Sequence, residues 1–340
     1  MTLLTTGTGT VPRIRRVVVA VAITVAVIAG LIAAMGVNPA AAGAAIWQGV
    51  VGSPFTLGQT VTIAGVLILM GLAMLIPFRA RLFNVGGEGQ LFIGAICSVS
   101  VALTLGDTPA TVVLALLAGV AGGTAWALIP GLLRALLGAS EMIVSLLLNF
   151  VATLAAAYVI SSVFPDTTGQ ATLLVDRGVR LPVIWAAGGV NIGTVLVIVV
   201  AAAAWVLISR TRTGFGIRAI GMNPEASVLA GFSPRSTTVL TFALGGACAG
   251  LAGAILVLGT AGQLNQGISS GYGFLGVVVA LIAGARVAWV PLAALFIAAL
   301  TVGSNRLQLA VDLPFSMGVV VVGVLVLTLL ATRVITIRRG

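Results

Sequence analysis

The chain has 340 residues, 60% hydrophobic and only 7% charged, with a mean hydropathy of +1.24 and a formal net charge of +10. A soluble protein of this length would expose too much apolar surface to stay dissolved, so the class is a polytopic, all-α membrane protein. All seventeen basic residues are arginine; with no lysine and no histidine, the composition excludes a GxxxxGK[ST] phosphate loop, a lysine Schiff base, a histidine general base and a histidine metal cluster.

In chain order, apolar runs occupy 17–35, 55–78, 90–105, 110–137, 142–164, 190–209, 237–258, 274–284, 288–302 and 315–332, which predicts about ten transmembrane helices. The first run follows Arg13, Arg15 and Arg16 and precedes Ala40-Ala41-Ala42, as a signal peptide would. Its apolar stretch is longer than a usual signal core, so an uncleaved first span is expected. Before the third run comes Phe83-Asn84-Val85-Gly86-Gly87-Glu88-Gly89-Gln90. Its glycines allow close backbone approach, and Glu88 sits where a helix dipole favours an acid. Two readings stand: a solvated turn with an acidic cap, or a break beside the translocation path, where irregular backbone is tolerated.

The fourth run carries Gly119-x-x-x-Gly123, and the seventh carries Gly246-x-x-x-Gly250 with Ala254 four residues on. Both mark close helix packing, within the chain or at a dimer seam. On the fifth run Glu141, Ser145, Asn149 and Thr153 share one helical face, with Ser140 placed as N-cap. Interhelical bonding is expected of Ser145 and Thr153, and solute contact of Asn149. Cys97 and Cys248 sit inside apolar runs without CxxC spacing and are expected to be packing residues.

Between the sixth and seventh runs lies a polar island, 210–236, with Arg210, Arg212, Arg218 and Arg235. Asn223-Pro224-Glu225-Ala226 reads as a turn into a short helix with Pro and Glu in the first turn; Leu229 and Ala230 continue it and Gly231 stops it. The alternative is a flexible solvated loop. The run 274–284 is too short to span alone; it extends through Gly271, Tyr272 and Gly273 or belongs to a broken helix.

Ten spans with a cytoplasmic N-terminus leave only Arg177, Arg180 and Arg306 outside and the other fourteen arginines inside. That bias supports a multi-pass cell-membrane protein with both termini cytoplasmic, the island inside and 165–189 outside. Spans 2–5 and 7–10 are equal blocks offset by five, an odd number, which fits an inverted repeat. The scattered arginines argue against nucleic acid as a partner.

The segment 83–90 resembles the FNIGxEGQ segment of permease subunits of ABC importers of the nucleoside and simple-sugar branch. Glu141 through Asn149, EMIVSLLLN, is similar to that branch's E-(V/I)-(V/I)-xxxxLN segment. Gly221-Met222-Asn223-Pro224-Glu225-Ala226-Ser227-Val228-Leu229-Ala230-Gly231 resembles its GxNPxAAxxAGI coupling loop. Tyr272-Gly273-Phe274 with Val279-Ala280-Leu281 resembles its YGFxxIAVALL segment. Phe83 and Gln90 look most like the nucleoside-type first permease subunit. Ser227, Phe232 and Gly87 are mild departures, standing where Ala, Ile and Ala or Val are usual.

The resemblance implies a single permease domain over 1–340, one half of a two-permease pore, with 210–236 as its cytoplasmic coupling loop. Gly221, Asn223, Pro224, Glu225, Ala230 and Gly231 would form that loop by motif match. The implied partners are cytoplasmic ATP-binding subunits, a second related permease and an extracytoplasmic solute-binding lipoprotein. The chain itself would be no enzyme and would hold no cofactor and no metal. The same division of labour follows from the residues: without lysine the chain has no phosphate loop of its own, and without long polar outer segments it needs help to capture dilute solute. Asn84, Glu88, Gln90 and Asn149 are the expected polar contacts along the substrate path. Nucleosides are the expected small-molecule substrate, with simple sugars as the alternative within the class and an ion-coupled secondary transporter as the alternative outside it. The few membrane acids disfavour the last.

Overall fold

The computed structural model describes residues 38–311 except 285, with isolated positions 26, 29, 30, 33 and 323. The apolar runs 17–35 and 315–332 lie almost wholly outside the described residues. Eleven α-helices are described: α1 (Pro39–Val51), α2 (Pro54–Arg79), α3 (Gly87–Thr104), α4 (Pro109–Leu137), α5 (Glu141–Tyr158), α6 (Gly193–Arg210), α7 (Arg212–Met222), α8 (Pro224–Leu229), α9 (Pro234–Ile255), α10 (Tyr272–Ala283) and α11 (Val290–Val311). The last turns of α5 and α9 widen into π-helix at Val159–Val163 and Leu256–Ala261. Contacts divide the chain into two compact units, one formed by Gly58–Ala298 and the other by the segments on either side of it.

Among the described residues, seven helices are long and apolar enough to cross a membrane, namely α2, α3, α4, α5, α6, α9 and α11 with their continuations. They answer seven of the ten expected runs, and 17–35 and 315–332 lie almost wholly outside the described residues; the eleven described helices differ from the expected count of about ten in two ways. Helices α1, α7 and α8 form where no apolar run of spanning length announces them. Helix α10 has only 12 residues, and at ~1.5 Å per residue it falls well short of a ~30 Å hydrocarbon layer.

The centre of the larger unit is a backbone-to-backbone seam. Gly119 and Gly123 of α4 face Gly246 and Gly250 of α9, so that the Gly119 and Gly123 carbonyls occupy the space a Cβ at 250 or 246 would need. Gly94 of α3 closes on Gly250 from the third side, and a Cβ on Gly119 would stand 2.7 Å from that of Ala254. The two small-residue patterns thus meet each other within the chain. Close approach of this kind replaces the hydrophobic drive that lipid does not supply. Cys248 is buried and Cys97 half-buried, both as free thiols.

The segment after α5 is tied to the end of α9. Thr172 and Val175 donate backbone N–H bonds to Leu264 O and Gly262 O at 2.8 Å, and Leu181 donates to Leu258 O at 2.9 Å. Strands β1 (Val183–Trp185) and β2 (Val190–Asn191) form a small antiparallel hairpin within it. In the separate turn closed by the Pro165–Thr172 bridge, Asp166 accepts from the Thr168 N–H and hydroxyl at 2.9 Å. Slight desolvation raises the Asp166 carboxyl, but the bonds from Thr168, Gly169 and Ala171 outweigh it and hold the group below the usual carboxylate range.

Candidate functional site

Two constellations singled out by sequence are each built by the fold, in different ways. The first is a polar knot at the start of α3. Asn84 and Gln90 are buried and bond each other twice, Asn84 Nδ2 to Gln90 Oε1 at 3.0 Å and Gln90 Nε2 to Asn84 Oδ1 at 2.8 Å. Asn84 also donates to Ala73 O of α2 at 3.3 Å and accepts from Gly86 N at 3.2 Å. Asn149, buried on α5, donates to Val85 O at 3.0 Å and accepts from Gly89 N at 2.8 Å. Glu88 accepts from Gly273 N at 2.8 Å, which joins the first turn of α3 to the first turn of α10.

The knot draws together all four expected path residues, with their polar groups turned onto each other and onto backbone. In a low-dielectric interior such a network must be fully satisfied, because each orphaned group costs ~1–3 kcal/mol. Of the two readings of 83–90, the solvated turn is corrected: Asn84, Gly86, Gly87, Gly89 and Gln90 are buried. Glu141 at the head of α5 reinforces the same segment, accepting from Phe83 N at 3.3 Å and pairing with Arg134 at 3.4 Å.

The rest of the α5 stripe differs from expectation. Ser145 donates to Met142 O at 3.2 Å and Thr153 to Asn149 O at 2.9 Å, both within α5. Short hydroxyl side chains reach their own preceding turn more easily than a neighbouring helix. Asn149, with a longer reach, makes the interhelical bonds assigned to them. Ser140 occupies the N-cap position without a side-chain bond.

The second constellation is the island. Thr211 caps α7, accepting from Gly214 N at 3.1 Å. Asn223 ends α7 and caps α8, its Oδ1 accepting from Ala226 N at 3.1 Å, and Pro224 stands at the first helical position. The Ser227 hydroxyl donates back to Asn223 O at 2.6 Å. Gly231 takes φ +84° and donates to Val228 O at 2.9 Å, a left-handed stop that a side chain would strain. Ser233 then caps α9. The short helix expected from Asn223 to Gly231 is therefore present, with every cap where the residue types place it. Helix α7 was not foreseen; its three glycines, Gly214, Gly216 and Gly221, mask its apolar face.

Glycine also seats the island. Gly221 lies against the Arg79 carbonyl at the end of α2, leaving no room for a Cβ. Phe232 covers Gly216 and stacks tilted on Phe215 at 5.7 Å, which accounts for an aromatic where the family resemblance has isoleucine. The far side of the knob is bare: Pro224, Glu225 and Val228 are exposed, and Leu229 is 91% exposed. A leucine held out on a capped helix is available to another surface.

Two cavities are lined by residues other than the four of the knot. One of about 530 Å³ is lined by Asp166, Gln170, Gln263, Asn265 and Gln266. The other, about 710 Å³, opens beside the island and is lined by Phe78, Arg79, Arg81, Phe83, Arg218 and Met222. Sequence reading missed the second because its arginines come from segments ~140 residues apart. Among the described residues no cluster of His, Cys, Asp and Glu could hold a metal ion.

Residues 56–330 match the family described as branched-chain amino acid transport system / permease component. Over 312 residues the chain is 32% identical to the guanosine ABC transporter permease protein of Bacillus subtilis, covering 90% of this chain and 89% of that one. It is 33% identical over 317 residues to a glucose ABC transporter permease protein of Haloferax volcanii, covering 88% and 82%. It is 32% identical over 284 residues to a nucleoside ABC transporter permease protein of Lactococcus lactis, covering 80% and 78%.

Proposed function

The chain belongs to this family of transport permeases, and on that premise we propose that it is the membrane subunit of an ATP-driven importer of nucleosides. The observation that carries the substrate class is the likeness, over most of the chain, to permeases of guanosine and of nucleosides. The glucose permease of similar identity supports simple sugars as the second reading.

In this reading 1–340 is one permease domain of ten spans with both termini in the cytoplasm, and it pairs with a related second permease. ATP is hydrolysed on separate cytoplasmic subunits, and an outer lipoprotein delivers the solute. The island is the coupling loop: Asn223, Pro224 and Glu225 start its rigid knob, and Ala230 and Gly231 close it. Gly221 couples the knob to the rest through its contact with Arg79, so a push on α8 reaches the end of α2. Pairing of spans 2–5 with 7–10 as an inverted repeat is supported by the Glu88–Gly273 bond, which links the starts of the two helices that such a repeat makes equivalent. Rocking of the blocks would break the knot on one side, exposing Asn84, Glu88, Gln90 and Asn149 to solute.

Uptake of radiolabelled guanosine, uridine and ribose by cells lacking and regaining this chain tests the proposal. Restored guanosine or uridine uptake that needs ATP is the expected result. Restoration of ribose alone selects the sugar reading, and uptake that collapses with an uncoupler but survives loss of the ATP-binding subunit overturns both.

A further inference from the structure

The 710 Å³ cavity gathers three positive charges with no counter-charge among the described residues. Arg79 ends α2, Arg81 follows in a left-handed turn at φ 59°, and Arg218 reaches in from α7. None is within ion-pair distance of a carboxylate among the described residues, where Arg134–Glu141 is the ion pair present. Among the described residues Arg79 Nε and Arg218 Nη1 are buried without a hydrogen-bond partner. Guanidinium groups of like charge, partly stripped of water and unpaired, are costly unless an anion bridges them.

The rest of the wall describes the anion. Phe78, Phe83 and Met222 line the same cavity, with the two rings edge to face at 5.2 Å. A site whose wall is part cationic and part apolar suits an amphiphile. Its depth agrees: α2 has 26 residues, ~39 Å at 1.5 Å per residue, so Arg79 at its end reaches past a ~30 Å hydrocarbon layer into the headgroup zone. Arginine forks match phosphate oxygens in pairs.

We propose that Arg79, Arg81 and Arg218 form a binding site for an anionic phosphate group, supplied by a phospholipid headgroup that wedges between the end of α2 and α7. The bound phosphate neutralises the pocket on which Gly221 seats the island, so anionic lipid stiffens the link between α8 and α2. This site rests on the geometry of the larger unit and stands whichever solute the permease carries.

The test uses the intact transporter in nanodiscs of phosphatidylcholine with or without phosphatidylglycerol, followed by native mass spectrometry of retained lipid. Wild type should retain phosphatidylglycerol in preference to phosphatidylcholine, and the R79Q/R218Q pair should lose that retention at least about tenfold. R134Q, outside the pocket, should keep it. If the double variant does not fold, R218Q alone and R81Q provide the reading, each with a smaller loss. A second arm compares inorganic phosphate with chloride at equal ionic strength on lipid-stripped wild type. A rise in thermal midpoint with phosphate that R218Q abolishes shows the phosphate chemistry, and preference for lipid over free phosphate assigns its source. Equal retention by wild type and variants, with no phosphate effect, overturns the proposal. So does crosslinking that finds a partner subunit's carboxylate against Arg218 in the lipid-bound complex.

Discussion

The knot around Asn84 and the knob around Asn223 are both polar, glycine-bearing and built on an asparagine, yet they treat their polar groups in opposite ways. In the knot each amide is turned inward: Asn84 meets Gln90, and Asn149 closes on Val85 and Gly89. In the knob the bonds are local, Asn223 to Ala226 and Ser227 to Asn223, and the outer face is left to solvent. A buried network holds helices together, so loss of one member is felt as instability. An externally directed knob holds only itself, so its outer residues can change without unfolding anything. Stability and coupling can therefore be altered separately in one chain.

The largest expected effect comes from opening the knot. Asn149→Leu leaves Val85 O and Gly89 N unpaired in the interior, and a loss of ~2–5 kcal/mol is expected, with transport falling alongside the yield of folded protein. Thermal unfolding in nanodiscs measures it; a midpoint near wild type would show that the knot is not under tension of this kind. Next comes the knob. Leu229→Glu should cut ATP-dependent uptake at least about tenfold while the thermal midpoint moves by no more than about 2 °C, because a surface change rarely exceeds ~0.5 kcal/mol. A Leu229→Glu protein with full uptake would remove the coupling role from α8.

The knot can also be probed for solute contact. Replacing both partners, Asn84→Leu with Gln90→Met, removes donor and acceptor together and should recover much of the stability that Asn84→Leu alone loses. If these amides touch solute, uptake stays low in the stable double variant; recovered uptake makes them purely structural. A smaller effect is expected from Asn223→Ala, which removes one cap, about 1 kcal/mol of local helix stability, and should lower uptake a few-fold. Faster amide exchange confined to 223–231 would identify it.

The smallest effect concerns pH. The Asp166 carboxyl is held below its ordinary range by its loop, so its contribution is present above the unfolded-state value and is lost as pH falls through the folded value. Acidification below about pH 4 should therefore loosen the 166–171 turn, read as faster exchange there and nowhere in the knob.

The knob was legible because its signals are local. Asn-Pro-Glu starts a helix and glycine stops it within nine residues, and no distant partner is needed. The knot was legible only as a list of polar residues. Asn149 and Gly89 are 60 positions apart and Glu88 and Gly273 are 185 apart, and nothing in either segment names the other. The α5 stripe shows the same limit: period 4 placed four polar residues on one face, but side-chain reach sent Ser145 and Thr153 back to their own helix.

By itself the amino-acid order established a helical membrane protein without a lysine-bearing phosphate loop, because apolar run length, arginine placement and missing lysine are properties of the unfolded string, and its local motifs carried the resemblance to permeases. It also marked Gly119, Gly123, Gly246 and Gly250 as points of close packing. That they close on one another, that Gly221 rests on the Arg79 carbonyl, and that Arg79, Arg81 and Arg218 share one cavity were decided by tertiary structure alone. Small residues permit approach from any helix, and like charges in sequence give no reason to meet; only the packing of α2, α3, α4, α7 and α9 into one body selects these neighbours.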